Sequence, residues 1–218
     1  MMRSSKSLLV FDLDGTLADS RMDLVQAINF ALSQVGLTNI PYAAIISFVG
    51  EGSRKLLARC FAHCNCQDQE LFAQAEKIFL RYYYEHIRDH SQLYPGVAEV
   101  IAQLPSPKSV LSNKPTKMSC KLLDSLGIIQ YFDEIIGGDF SEELKPNPHY
   151  LFKLMAKHGV TPATTWMIGD SPIDIATADN AKANSIAVGY GLYKPEELQK
   201  LHPTRFIASF SELLHVNF

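Results

Sequence analysis

Short apolar runs, each closed by small or polar residues, recur five times along the chain: Leu8 to Phe11, Ser109 to Leu111, Glu134 to Ile136, Thr165 to Ile168 and Ser185 to Val188. Runs of this length rich in branched residues fit strands buried on both faces, as in a parallel sheet. Between most of them the apolar spacing changes to three and four. Met118, Leu122 and Leu126 precede Gly127, and Leu151, Leu154, Met155 and His158 precede Gly159, the pattern of helices with one buried face and a glycine stop. This alternation predicts an α/β fold with a doubly wound, Rossmann-like parallel sheet.

One interval departs from the alternation. From the first strand to about Pro95 no buried strand is predicted, and the pattern is helical. Leu24, Ile28, Ala31, Leu32 and Val35 lie on one face ahead of Gly36. A second helix is predicted from Arg54 to about Cys60, and a third carries Leu71, Ala75, Ile78, Phe79, Tyr82, Tyr83 and His86, an aromatic stripe suited to a core. The division predicted is therefore an α/β core from 1–18 and 92–218, with an all-helical insertion at 19–91 and linkers near 17–20 and 89–95.

Composition narrows the class of protein. A chain of 218 residues, 47% hydrophobic and 20% charged, can bury a full core. Its formal net charge of -3 supplies no overall attraction to nucleic acid or an anionic membrane, so an anionic ligand must be held by individual cations. Arg3 and Lys6 precede an apolar run at Leu8 to Phe11 that is too short for a signal-peptide core and stops at Asp12. The expectation is a cytoplasmic protein, monomer or homodimer, that binds neither a nucleic-acid polymer nor a membrane. Cys60, His63, Cys64 and Cys66 cluster, but their spacing fits no ordinary zinc pattern. Reduced thiols are expected there and at Cys120.

In an open α/β sheet, ligands bind beyond the carboxyl ends of the strands. The first run ends in Asp12 and Asp14, which an extended backbone directs to the same side, followed by Gly15 and Thr16. The second ends in Ser112 and Asn113; Lys145 stands before Pro146; and the run after Thr165 ends in Gly169 and Asp170, with Asp174 four residues on. Singly, each has an ordinary structural explanation. Asp-x-Asp-Gly makes turns, and Ser171-Pro172-x-Asp174 is a helix start.

Together, Asp12-Leu13-Asp14-Gly15-Thr16-Leu17, Ser112-Asn113, Lys145-Pro146 and Gly169-Asp170 with Asp174 resemble the haloacid dehalogenase superfamily. The resemblance implies Asp12 as a covalent nucleophile. It implies magnesium held by Asp12, the backbone carbonyl of Asp14, and Asp170, with Asp174 as a further ligand or as a group orienting Asp170. Lys145 would neutralise phosphoryl oxygens and hold Asp12, with Ser112, Asn113, Gly15 and Thr16 around the phosphate. Asp14 would protonate the leaving alcohol and then activate water. Superfamily dehalogenases and phosphonate hydrolases lack a carboxylate at that position, so Asp14 argues for phosphoryl transfer. Hydrolysis of a phosphate monoester needs on the order of 20 kcal/mol of barrier lowering, more than one side chain supplies.

The insertion resembles the helical cap of the phosphoglycolate phosphatase and β-phosphoglucomutase branch. Val49-Gly50-Glu51-Gly52-Ser53-Arg54 is similar to that branch's cap loop, which makes Arg54 a candidate for the far end of the substrate. The function implied is a magnesium-dependent phosphatase acting on a small phosphorylated metabolite such as phosphoglycolate. A phosphomutase would carry the same motifs, and a non-catalytic module is a third reading.

Overall fold

Leu8, Leu9, Val10 and Phe11 are all fully buried, and they open the sheet in the computed structural model, which describes residues 7–218. Arg3, Lys6 and the rest of 1–6 lie outside the described residues. In chain order, β1 (Leu8–Phe11) and the two-residue β2 (Ala18–Asp19) precede four helices: α1 (Arg21–Gln34), α2 (Tyr42–Ser47), α3 (Ser53–His63) and α4 (Gln69–Glu85). Then follow β3 (Gln92–Leu93), α5 (Val97–Gln103), β4 (Lys108–Leu111), α6 (Thr116–Ser125), β5 (Glu134–Ile136) and α7 (His149–His158). The chain closes with β6 (Thr165–Gly169), α8 (Pro172–Asn180), β7 (Asn184–Val188), α9 (Pro195–Gln199) and β8 (Arg205–Ile207).

Six strands form one parallel sheet in the order β5-β4-β1-β6-β7-β8. Alternate side chains of β1 enter different layers. Leu9 and Phe11 pack in the core that holds Val100 and Ile101 of α5 and Leu122 of α6. Leu8 and Val10 pack with Leu151 and Leu154 of α7 and Ala178 of α8. Helices therefore cover both faces, as the sequence predicts. The strand order reverses at β1, which opens a crevice beside the ends of β1 and β6, where such sheets bind ligands.

The four helices of the insertion share the first layer's core, since Leu13, Leu17 and Ala18 connect it to Leu24, Ile28, Ile45, Leu57 and Phe79. Asp68 starts α4 by accepting from the Glu70 and Leu71 amides, and Gly36, at φ 76°, follows α1. The predicted linkers are not loose. β2 and β3 pair antiparallel, Ala18 opposite Leu93 and Asp19 opposite Gln92. Buried Asp23 reinforces this ribbon by accepting from the His90 amide, the Ser91 amide at 2.8 Å and the Ser91 hydroxyl at 2.6 Å. Among the described residues, no helix is long and apolar enough to cross a membrane.

Candidate active site

Past β1 the Asp12 amide donates to the Ile168 carbonyl at 2.9 Å, carrying the β1–β6 pairing one residue into the crevice. The Asp12 carboxylate accepts from the Leu13 amide at 2.7 Å and faces Lys145 Nζ at 2.9 Å. Lys145, itself buried, reaches Asp174 Oδ1 at 2.7 Å. The other oxygen of Asp174 accepts from the Ser171 amide and hydroxyl, while the Asp174 amide donates back to Ser171 Oγ. This is a capping box at the start of α8, with Pro172 in its first turn. The cap fixes the carboxylate that meets Lys145.

Asp170, after β6, is 1% exposed. Its oxygens accept from Thr16 Oγ1 at 3.1 Å and the Leu192 amide at 2.7 Å. Gly15, at φ 89°, passes so close that a Cβ there would collide with the Asp170 carboxylate. Neither Gly15 nor Thr16, expected around the phosphate, is among the residues facing the cavity; both lie against Asp170.

At the end of β4, Ser112 lines the cavity and its hydroxyl accepts from the Lys114 amide at 3.3 Å. Asn113 is committed elsewhere. Its amide donates to the carbonyls of Gly50 and Lys145, both at 3.0 Å, and its Oδ1 accepts from the Lys145 amide at 2.8 Å. Its side chain thus ties the Lys145 loop to the loop at Gly50, and the residue also lines the cavity. Lys114, which the motifs did not single out, is buried and donates to both oxygens of Asp14, at 2.6 and 2.8 Å. The Ser20 hydroxyl also bonds Asp14.

Asp12, Lys145 and Asp170 are titratable groups in a dry place. Burial, opposed by Lys145 and aided by Asp174, pushes Asp12 up to about 6. Burial and then the Asp12 and Asp174 charges raise Asp170 well above the carboxylate range. Burial alone would lower Lys145, but the two carboxylates beside it outweigh that and raise it. Ligand oxygens of Asp12, Asp170 and Asp174 lie within 4.8 Å of one another. Crowded carboxylates driven toward protonation fit a hard divalent cation, and an all-oxygen donor set suits magnesium.

A family model described as haloacid dehalogenase-like hydrolase matches residues 9–188. The chain belongs to that family. A protein of Yersinia pseudotuberculosis named phosphoglycolate phosphatase is 37% identical over 210 residues, covering 94% of this chain and 90% of the relative. A protein of the same name from Vibrio parahaemolyticus is 34% identical over 223 residues, covering 99% and 98%. The crystal structure of a predicted phosphoglycolate phosphatase from Haemophilus somnus superposes with a TM-score of 0.91 at 30% identity, covering 99% of both chains.

In this haloacid dehalogenase-like hydrolase Leu24, Gly50, Gly52, Leu56, Phe79 and Tyr83, all from the helical segment between β2 and β3, line the cavity at the crevice. The cavity is about 70 Å³, a compact space, and a larger one of about 1040 Å³ shares Gly52, Ser53 and Pro115 with it. Arg54, expected at the far end of the substrate, lines the larger space rather than the small cavity. Its side chain is 70% exposed, pairs with Glu76 at 2.9 Å and stacks over Phe72. Ser53, one residue earlier, faces the cavity instead. In the cysteine cluster Cys60 is buried, and burial followed by the neighbouring Cys64 pushes its thiol up to about 12.

Proposed function

We propose that this hydrolase is a magnesium-dependent phosphatase that cleaves a compact phosphomonoester through an aspartyl phosphate on Asp12, with 2-phosphoglycolate the first substrate to test. One observation carries the reading: Asp12 and Asp170 meet at the switch-point crevice, with Lys145 between Asp12 and Asp174. The names of the relatives support the substrate class. Asp12 and Asp170 would hold the ion with the Asp14 carbonyl, while Asp174 acts chiefly through Lys145. When bound, the ion supplies charge neutralisation that lets a carboxylate approach a phosphate dianion.

In the first step an Asp12 oxygen forms a bond to phosphorus as the ester oxygen leaves. Lys145 and the Ser112 hydroxyl face the phosphoryl oxygens, where negative charge must be held in the transition state. Asp14 delivers its proton to the departing alkoxide, giving the free alcohol. Because Lys114 engages both Asp14 oxygens, one of those contacts opens for the transfer. In the second step Asp14 takes a proton from water, whose oxygen attacks the aspartyl phosphate. Phosphate leaves and the Asp12 carboxylate is regenerated.

The test is magnesium-dependent release of inorganic phosphate from 2-phosphoglycolate. Expected is turnover abolished by chelation and restored by magnesium. Conversion of β-glucose 1-phosphate to glucose 6-phosphate, without phosphate release, would replace the hydrolase by a phosphomutase.

A further inference from the structure

Asp12 and Asp170 follow neighbouring strands, and the β1–β6 pairing reaches as far as the Asp12 amide, which donates to the Ile168 carbonyl. Past that point turns and side chains set how the two carboxylates face each other. Magnesium tolerates little error there, since it demands a near-octahedral set of oxygens at about 2.0–2.1 Å.

The segment after β7, Gly189-Tyr190-Gly191-Leu192, meets Asp170 and the β1 turn together. The Leu192 amide donates to one Asp170 oxygen at 2.7 Å. Gly191 passes against the same side chain, where a Cβ would lie 2.2 Å from that of Asp170. Tyr190 reaches the other way, and its hydroxyl donates to the Thr16 carbonyl at 2.9 Å. Thr16, fully buried, in turn donates from Oγ1 to the second Asp170 oxygen at 3.1 Å. A closed circuit results, from Asp170 through Thr16 to Tyr190 and back along the backbone to the Leu192 amide. The Tyr190 ring is braced as well. It packs on Tyr94 with centroids 4.8 Å apart, and the Tyr94 amide, directly after β3, donates to the Leu17 carbonyl at 3.1 Å. The phenol is thus aimed at the Thr16 peptide by packing from both strands of the β2–β3 ribbon's end of the turn.

We propose that Tyr190 is a positioning residue for the metal, which fixes the Thr16 peptide and through Thr16 Oγ1 sets the orientation of Asp170 toward Asp12. This rests on the magnesium reading of the site. Tyr190 is not among the residues lining the cavity, so its effect passes through Thr16.

The experiment is calorimetric titration of magnesium into metal-free, full-length wild type, Tyr190→Phe, Thr16→Val and the double variant, with a thermal melt of each metal-free protein. Tyr190→Phe keeps the ring and its contact with Tyr94 and removes one hydroxyl. Its magnesium Kd should rise about threefold or more, and that of Thr16→Val about tenfold, at the lower end of what groups that orient metal ligands contribute. The double variant should bind no more weakly than Thr16→Val, because the two residues act along one route. A merely structural hydroxyl would lower the metal-free Tm and change the Kd by less than threefold, which would overturn the assignment. Fold-changes that multiply in the double variant would also overturn it, since Tyr190 would then act by another route. Wild type that binds no magnesium removes the metal reading and this inference with it, whereas a failure confined to Tyr190→Phe leaves the metal reading standing.

Discussion

Asp12 sits where backbone, charge and solvent exclusion coincide: one bond past the sheet, 2.9 Å from Lys145, and in a site dry enough to raise its pKa. Such a group is maintained by its neighbours, and Gly15 is the most exposed to test. A methyl there would meet Asp170, and φ 89° is a conformation that residues with a Cβ rarely adopt. Gly15→Ala should lower stability by about 1–3 kcal/mol and raise the magnesium concentration needed for half-maximal activity. Denaturant melts and a magnesium titration check both effects. Unchanged values would mean that Asp170 is not held by this turn. The acidic residues were legible in the sequence because they follow apolar runs. Lys114 was not, because its partner Asp14 lies 100 positions away, and no local pattern marks a lysine for burial. Arg54 pairs with Glu76 on another helix, a contact that no local pattern marks.

Among the elements, the β2–β3 ribbon and buried Asp23 control how the cap joins the core. Asp23 is 1% exposed and serves donors of both His90 and Ser91. Asp23→Ala would leave those donors facing a void, so urea unfolding should show a loss of about 2–4 kcal/mol. A loss below about 0.5 kcal/mol would show that the anchor lies elsewhere. Strands buried on both faces were readable from composition, since β1 is apolar throughout and β4, β6 and β7 each carry an apolar run, at 110–111, 166–168 and 186–188. β8 was not, because it is an edge strand that starts with exposed Arg205. α2 buries only Ile45, so its sequence has no amphipathic stripe. β2 and β3 are two residues each, too short for any periodicity.

For the molecule as a whole, the carboxylate cluster links folding, metal and pH. In the folded protein Asp12 titrates at about 6 against an ordinary 3.8, so the metal-free fold takes up this proton more readily than the unfolded chain. Its contribution to stability is present below about pH 4 and is lost as the pH rises toward 6; Asp170 acts in the same direction. Magnesium, by favouring the charged forms, should reverse the loss. Magnesium should therefore raise Tm at pH 7 to 8, and the increment should shrink as the pH falls through about 6. An increment independent of pH would place the ion away from Asp12 and Asp170. The small cavity brings Asp12, Lys145 and Asp14 together, and in the proposed mechanism the chemistry depends first on Asp12. The most direct measurement is phosphate release from 2-phosphoglycolate with saturating magnesium, comparing wild type with Asp12→Asn. Turnover by wild type, reduced by on the order of 10³ or more in the variant while the variant stays folded, is the result predicted; a folded Asp12→Asn protein retaining wild-type turnover would contradict it.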